Sequence, residues 1–372
     1  MINRASAKHI YFFVGTTAEL IKVMPVIEQL KEKHIPFKLI SSGQNNLNLT
    51  ELESVFGKIS VDIVFGQKKG NHKVSTKNFI NWSVHTLFHA SLGLRKEFEG
   101  LKKDQAYLIV HGDTVSSAIG AIIGRLYGLT VVHIESGLRS FDYLEPFPEE
   151  ICRHLVSILS DVHFCPNSWS VRNLKHTSGK KINTKKNIVI ESLFKALSVT
   201  PKSDMPKSLQ KNRYFMFMMH RQEHMLFHKD KNKKIIETVL SEIPKGMKCV
   251  VILHSLTEAF LEKQQMLSQI KNDPRVITIP RQPYTIFSRI MSECEFMITD
   301  GGSTQEEAYY LGKPCLIIRN KTERIEGLKE NAVMAKGNLA VIKNFIKNYK
   351  SYKRKKVKLL PKPSAVVVNY FS

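Results

Sequence analysis

Two short apolar runs joined by a Gly- and Ala-rich helical stretch constrain this chain most. Ala106–Val110 and Leu129–Ile134 read as buried strands, and Thr114, Ser116 and Ser117 can cap the segment between them. A strand–helix–strand unit of this length makes its strands parallel and covers both faces of their sheet. Polar residues collect where each run ends: His111, Gly112 and Asp113 after the first, Glu135, Ser136 and Gly137 after the second. Ligands of open parallel sheets bind at these carboxyl ends. Asp113, Glu135 and Glu149, with Arg139 and Arg153, are thus either one crevice set or helix caps and surface ion pairs.

The same alternation runs along the chain. His9–Gly15 is a strand that turns into a helix over Ala18–Lys31, with Leu20, Ile21, Met24, Ile27 and Leu30 on its buried stripe. Strands are expected at Phe37–Ser41, Val61–Phe65 and VHFCP (Val162–Pro166), and helices at Thr50–Phe56 and Phe79–Glu99. Gln67–Thr76 and the Lys-rich passage Lys175–Lys186 read as loops, and IVIES (Ile188–Ser192) leads into a helix ending at Val199. The second half repeats the pattern. Its strands are Tyr214–Met219, Lys248–Leu253, Val276–Ile279, Phe296–Thr299 and Cys315–Ile318. Its helices are Lys233–Ile243, Leu256–Ile270, Tyr284–Ser292 and Thr304–Leu311. Such alternation favours doubly wound parallel sheets, and two α/β halves would face a central cleft. We expect an N-terminal Rossmann-like domain over 1–186, a C-terminal nucleotide-binding one over 187–362, and a return helix over 363–372. A length of 372 residues exceeds one ordinary core, and 42% hydrophobic residues can fill two.

The five cysteines show no metal-ligand spacing, and the fourteen histidines form no HExxH pattern. His220 and His224 stand four apart but lack an obvious third ligand. We therefore expect no metal and no cofactor. No apolar run reaches spanning length and no cleavage pattern follows the first strand, so a cytoplasmic protein is expected. The net charge of +23 leaves nucleic acid, an anionic membrane face and phosphorylated substrates as partners, or a merely solvated lysine face. No nucleic-acid recognition motif accompanies it. The densest run is Lys347, Lys350, Lys353, Arg354, Lys355, Lys356 and Lys358, read as a basic helix.

A second constellation lies in Phe296–Gly327. A strand ends at Asp300, and Gly301, Gly302 and Ser303 turn into a helix that opens with Gln305, Glu306 and Glu307. Free amides at such a helix start can hold a diphosphate, and a carboxylate one turn in can accept from two ribose hydroxyls. Acids also sit there simply to offset the helix dipole.

GTTAELIK (Gly15–Lys22), HGDTVSS (His111–Ser117), HIESGLRS (His133–Ser140), PFPEEICR (Pro146–Arg153), HRQEH (His220–His224), TDGGSTQEEA (Thr299–Ala308) and TERIEG (Thr322–Gly327) occur in this order. By these motifs nearly the whole chain resembles the bacterial UDP-N-acetylglucosamine 2-epimerases, whose two-domain fold is of the GT-B type. The resemblance implies epimerisation at C2 of a UDP-2-acetamido sugar through UDP elimination and a glycal, for surface polysaccharide synthesis. It implies Asp113, Glu135, Glu149 and His220 as catalytic residues. Lys22, Arg139, Arg153, Gly302, Ser303, Gln305, Glu306, Glu307 and Arg324 are implied to hold the substrate or UDP, with Glu307 on the ribose. It also implies a homodimer. Thr17 and Ala18 stand where the family has Arg-Pro. Asp300-Gly301-Gly302-Ser303 replaces Asp-Ser-Gly-Gly, and SGQNN (Ser42–Asn46) replaces the Thr-Gly-Gln-His of an allosteric site. Release of free N-acetylmannosamine, and glycosyl transfer to a lipid-linked acceptor, are the competing readings. The basic run adds an expected weak association with an anionic membrane surface.

Overall fold

The computed structural model describes residues 8–66, 76–219 and 229–372. The loop expected at Gln67–Thr76, up to Ser75, lies outside these residues, as do His220 and the rest of HRQEH. The chain falls into two compact units, Met1–Ser192 with Leu360–Ser372, and Leu193–Leu359.

The first unit has a seven-stranded sheet. Its strands are β1 (His9–Val14), β2 (Phe37–Ser41), β3 (Ile63–Val64), β4 (Ala106–His111), β5 (Thr130–Ile134), β6 (Val162–Cys165) and β7 (Lys180–Asn183). All pairs are parallel, in the order β3-β2-β1-β4-β5-β6-β7. The chain direction across the sheet reverses between β1 and β4, so the turns after these two strands flank the switch point. The second unit has six strands, β8 (Tyr214–Met218), β9 (Lys248–Leu253), β10 (Val276–Pro280), β11 (Met297–Thr299), β12 (Cys315–Ile317) and β13 (Ala332–Met334). Their parallel order, β10-β9-β8-β11-β12-β13, repeats the first and puts a second switch point between β8 and β11.

The helices include α1 (Thr17–Glu32), α2 (Thr76–Gly93), α3 (Val115–Leu126), α4 (Glu149–Leu159), α5 (Gly302–Leu311), α6 (Leu339–Asn348) and α7 (Pro363–Phe371). Thr114 caps α3 by accepting from the Ser117 amide. Ala118, Ile119, Ala121 and Ile123 of α3 pack with Tyr11, Phe13, Leu108 and Val110 of the sheet. Each large apolar side chain so buried contributes about 1.5–3 kcal/mol. In the second unit Phe215 and Phe296 stack at 4.5 Å, and Phe345 and Tyr349 lie against Phe296. The C-terminal helix α7 packs on α1 within the first unit.

Several local expectations need correction. The Lys-rich passage Lys175–Lys186 contains β7, an edge strand paired to β6 from Val162↔Lys180 to Cys165↔Asn183. Backbone pairing made a strand where apolar alternation was missing. Only Ile63–Val64 of the Val61–Phe65 run is strand. VIES belongs to the helix Val189–Val199. The helix expected at Leu256–Ile270 is two, Ser255–Lys263 and Leu267–Asn272, broken where Gln265 takes φ 56°. The basic run is no helix: it leaves the end of α6 through a 3-10 turn at Tyr349–Tyr352 and continues as irregular chain to α7. β13 went unanticipated.

Candidate active site

In the first unit the carboxyl ends of β1, β4 and β5 bring the polar motifs onto one edge of the sheet. Glu135 follows β5 with φ 64°, a left-handed conformation that costs a non-glycine residue free energy and that marks functional turns. Its side chain is only 2% exposed. Lys22 of α1 donates to both of its oxygens, at 3.1 and 3.2 Å. Asn187 also donates to it, and His111 Nε2 stands 3.9 Å away. Asp113, half-buried after β4, is ion-paired with Arg153 of α4. Glu149 is the first residue of α4 and half-buried. Asp113 and Glu149 both lie near Cys152, whose thiol is pushed up to about 12 mainly by burial and then by these two charges.

Arg139 takes another course. Its guanidinium is buried and donates to Leu138 O at 2.8 Å and to Ser157 Oγ at 3.0 Å, fastening the turn after β5 to α4. Burial lowers its pKa.

The turns flanking the first switch point are closed by a residue the motif reading passed over. Glu19 accepts from Gly15 N at 3.0 Å and Thr16 Oγ1 at 2.9 Å. It also accepts from Thr114 Oγ1 at 2.7 Å and Ser117 Oγ at 3.0 Å. Burial raises its pKa and these four bonds oppose the rise. The anion site that a strand–Gly–helix turn allows after β1 is thus filled from within. The signal was present, because Thr16-x-x-Glu19 is capping-box spacing. Gly15 is required here: a Cβ would fall 1.9 Å from Ser116 Oγ. Gln44 of the SGQNN segment accepts from Ser116 N at 3.1 Å and Ser116 Oγ at 2.6 Å, capping α3 from outside.

Two buried histidines support these turns. His133 Nε2 donates to Gly112 O at 2.8 Å, and His163 bridges Ser136 Oγ and Ser178 O, both at 3.0 Å. Burial lowers their pKa values to about 3 and about 4.

In the second unit β11 ends at Thr299, and Asp300 and Gly301 turn into α5. Gly302 and Ser303 open that helix. At Gly302 a Cβ would meet Glu323 Oε1 at 2.3 Å, so glycine admits the 322–327 loop. Gln305 binds that loop at Arg324 O, Glu326 O and Thr322 Oγ1, at 3.1, 3.0 and 2.7 Å. Glu306 is wholly buried, ion-paired with Arg324, and accepts from Tyr310 OH at 3.0 Å. The next carboxylate, Glu307, accepts from Tyr284 OH at 2.9 Å. Burial and Glu307 together raise the Tyr284 pKa well above its usual value. Gln305, Glu306 and Arg324 therefore build the rim of α5. Among the described residues no group of three His, Cys, Asp or Glu side chains could hold a metal, and no helix is long and apolar enough to cross a membrane.

Known proteins match this architecture across its length. The sequence model of the UDP-N-acetylglucosamine 2-epimerases matches residues 28–361. A UDP-N-acetylglucosamine 2-epimerase of Neisseria meningitidis serogroup A is 30% identical over 339 residues, 87% of this chain and 86% of that protein. The Methanocaldococcus jannaschii enzyme of the same name is 26% identical over 333 residues, 87% of each. The crystal structure of the Neisseria meningitidis epimerase bound to UDP-GlcNAc superposes with TM-score 0.82 at 25% identity, over 98% of this chain and 99% of that one. The Methanocaldococcus jannaschii structure in complex with UDP-GlcNAc and UDP, 22% identical with TM-score 0.81 over 98% and 99% of the chains, shares the fold. With its two Rossmann-like units of the GT-B type, the chain belongs to the UDP-N-acetylglucosamine 2-epimerase family.

Proposed function

We infer that the chain epimerises C2 of UDP-N-acetylglucosamine, or of a close UDP-2-acetamido sugar, to the manno form. Its place in the family supports this. So does the gathering of Asp113, Glu135 and Glu149 on one edge of the first sheet, each beside or near a cation or helix start. The reaction needs such a set. A base removes the C2 proton as the C1–O bond to UDP breaks, leaving a glycal. UDP then returns to C1 and an acid delivers a proton to the other face of C2. Opposite faces require two separately placed groups. Lys22, at hydrogen-bond distance from both oxygens of Glu135, favours its ionised form, the form a base needs. The same set of acids serves whether UDP returns or water intercepts the intermediate and frees N-acetylmannosamine.

In this reading α5 holds the nucleotide. The amides of Gly302 and Ser303 take phosphate oxygens, and Glu307 takes the ribose hydroxyls in place of the Tyr284 hydroxyl. Gln305, Glu306 and Arg324 keep that helix start in shape, Arg153 steadies Asp113, Arg139 holds the turn after β5 against α4, and His220 is assigned the leaving diphosphate. The chemistry uses no metal or cofactor. We place the division between the sugar-side and nucleotide-side domains in the stretch from 186/187 to the 192/193 boundary of the compact units.

The decisive experiment is proton NMR of the purified protein with UDP-N-acetylglucosamine in heavy water. Epimerisation replaces the C2 proton by deuterium, whereas glycosyl transfer leaves it in place. Retention of the C2 proton at full conversion would sink the epimerase reading.

A homodimer of cytoplasmic enzyme fits the surface of the first unit. On α2, Val84, Phe88 and Leu92 are 64%, 61% and 56% exposed at four-residue spacing. Ile151, Leu155 and Ile158 form a second exposed stripe on α4, and both helices pack beside α3. Apolar faces of this kind mark subunit contacts. Sedimentation of a Phe88→Asp variant as a dimer would count against α2 as the contact.

A further inference from the structure

We propose that Glu150 is a positioning residue that acts through Arg153 on Asp113. The proposal rests on the role inferred above for Asp113. Glu150 is completely buried, at 0% exposure. One oxygen, Oε2, accepts from Ser140 N at 3.1 Å and from Arg153 Nη1 at 2.7 Å. The other, Oε1, accepts from Phe141 N at 3.4 Å and has His154 Nε2 at 3.6 Å. One carboxylate therefore ties the turn at Ser140–Phe141 to the first two turns of α4. Arg153 lies three residues on, with 4% of its side chain exposed. Its second amino group, Nη2, meets Asp113 Oδ2.

The geometry of the guanidinium makes this a relay. The group is planar, with its two amino groups in a rigid fork, so fixing Nη1 on one carboxylate fixes the direction in which Nη2 points. Glu150 also occupies one of the two amino groups of Arg153. Without it, both amino groups could close on Asp113 as a bidentate pair and draw the carboxylate from its place after β4. Glu150 thus keeps Arg153 to a one-sided grip on Asp113. A role confined to fastening the Ser140–Phe141 turn would not depend on Asp113 at all.

A double-mutant cycle on kcat separates the two. Wild type, Glu150→Gln, Asp113→Asn and the double variant are compared by C2 deuterium incorporation into UDP-N-acetylglucosamine. Gln keeps the size of Glu, but its single oxygen can accept from only one of the Ser140 and Phe141 amides, a loosening of the turn that is the same in both backgrounds and so cancels in the cycle. In the wild-type background Glu150→Gln is expected to lower kcat by about tenfold or more, the scale of a misplaced reacting group. KM should stay within about twofold, as for a group that acts on the reacting state alone. In the Asp113→Asn background the same change should cost less than about twofold, because residues in one network are non-additive. Equal losses in both backgrounds would overturn the proposal and leave Glu150 as a turn anchor. If Asp113→Asn keeps wild-type kcat, it is the assignment of Asp113 that fails. The relay is then decided by the urea midpoints of the same four proteins, where coupled shifts uphold it and additive shifts overturn it. Should Glu150→Gln not fold, Arg153→Lys keeps the charge and loses the fork; the same fall in kcat is expected, and wild-type kcat would overturn the relay.

Discussion

Lys22 Nζ lies 3.1 Å from Oε1 and 3.2 Å from Oε2 of Glu135, so one ammonium is shared by both oxygens of a carboxylate 113 residues away. Both side chains are nearly closed to solvent, at 11% and 2%. A buried pair broken on one side leaves an uncompensated charge, a loss of about 3–5 kcal/mol. Lys22→Met should lower the stability of the protein by that order in urea unfolding. Lys22→Met with Glu135→Gln should lose less than the sum of the single changes, since the second removes the stranded charge. Additive losses would show that the two groups do not support each other.

The three acids at this edge are predicted to fail separately in catalysis. Asp113→Asn, Glu135→Gln and Glu149→Gln should each lower turnover by ~10²-fold or more, the usual size for a lost general acid or base. Circular dichroism should be unchanged. A variant with full activity removes that residue from the mechanism.

On α5, Glu307 is the residue most able to test the nucleotide assignment. Glu307→Ala should weaken UDP binding by about 1.5–3 kcal/mol, the range for hydrogen bonds to a charged group. Titration calorimetry with UDP reads this directly. Unchanged affinity would return Glu307 to offsetting the helix dipole and holding Tyr284.

The contrast between these sites shows what the sequence carried. Buried parallel strands announce themselves as continuous apolar runs, and β1, β4, β8 and β9 were legible for that reason. β7, with the pattern exposed then half-buried at Lys180–Asn183, has no apolar signal and exists because β6 offers it a ladder. At the candidate site, residue types singled out Asp113 and Glu135, which follow β4 and β5. The work of Glu19 and Glu150 is invisible in composition, since both are carboxylates spent on backbone amides and hydroxyls brought together only by the fold. Their local spacings, Thr16-x-x-Glu19 and Glu150-x-x-Arg153, were the available clues.

His133 and His163 predict how stability responds to acid. Each takes a proton below about pH 6.5 in the unfolded chain. In the folded chain they do so only below about 3 and about 4. The unfolded state therefore holds more protons through that window, and stability is lost as pH falls from about 6.5, at about 1.4 kcal/mol per unit for each histidine. Glu19, whose pKa is raised, works the other way and gains a folded-state proton as pH falls. Urea midpoints at about pH 7 and about pH 5 should separate clearly for wild type and less for His163→Gln, which cannot be charged. An equal drop in both proteins would show that His163 is not the group responsible.

The basic run is predicted to hold the protein on anionic membranes. Lys353, Arg354, Lys355 and Lys356 are all exposed, while the backbone beneath them is pinned to the end of α5 by Arg354 N to Gly312 O at 3.0 Å and Val357 N to Tyr310 O at 2.9 Å. A pinned strip presents its charges with little further ordering cost, unlike a free tail. Each lysine or arginine near an anionic surface contributes about 1 kcal/mol, and salt screens it within a Debye length. Vesicles containing phosphatidylserine should co-sediment the wild-type protein at low salt and release it as salt is raised. Replacing these four cations by glutamine should abolish binding and leave turnover on a soluble UDP-sugar unchanged, because none of them belongs to the acids of the first unit or to the opening turn of α5. Absence of wild-type binding at low salt would reduce the run to a solvated face. Loss of activity in the variant only with a lipid-linked acceptor would instead favour a glycosyltransferase over the epimerase.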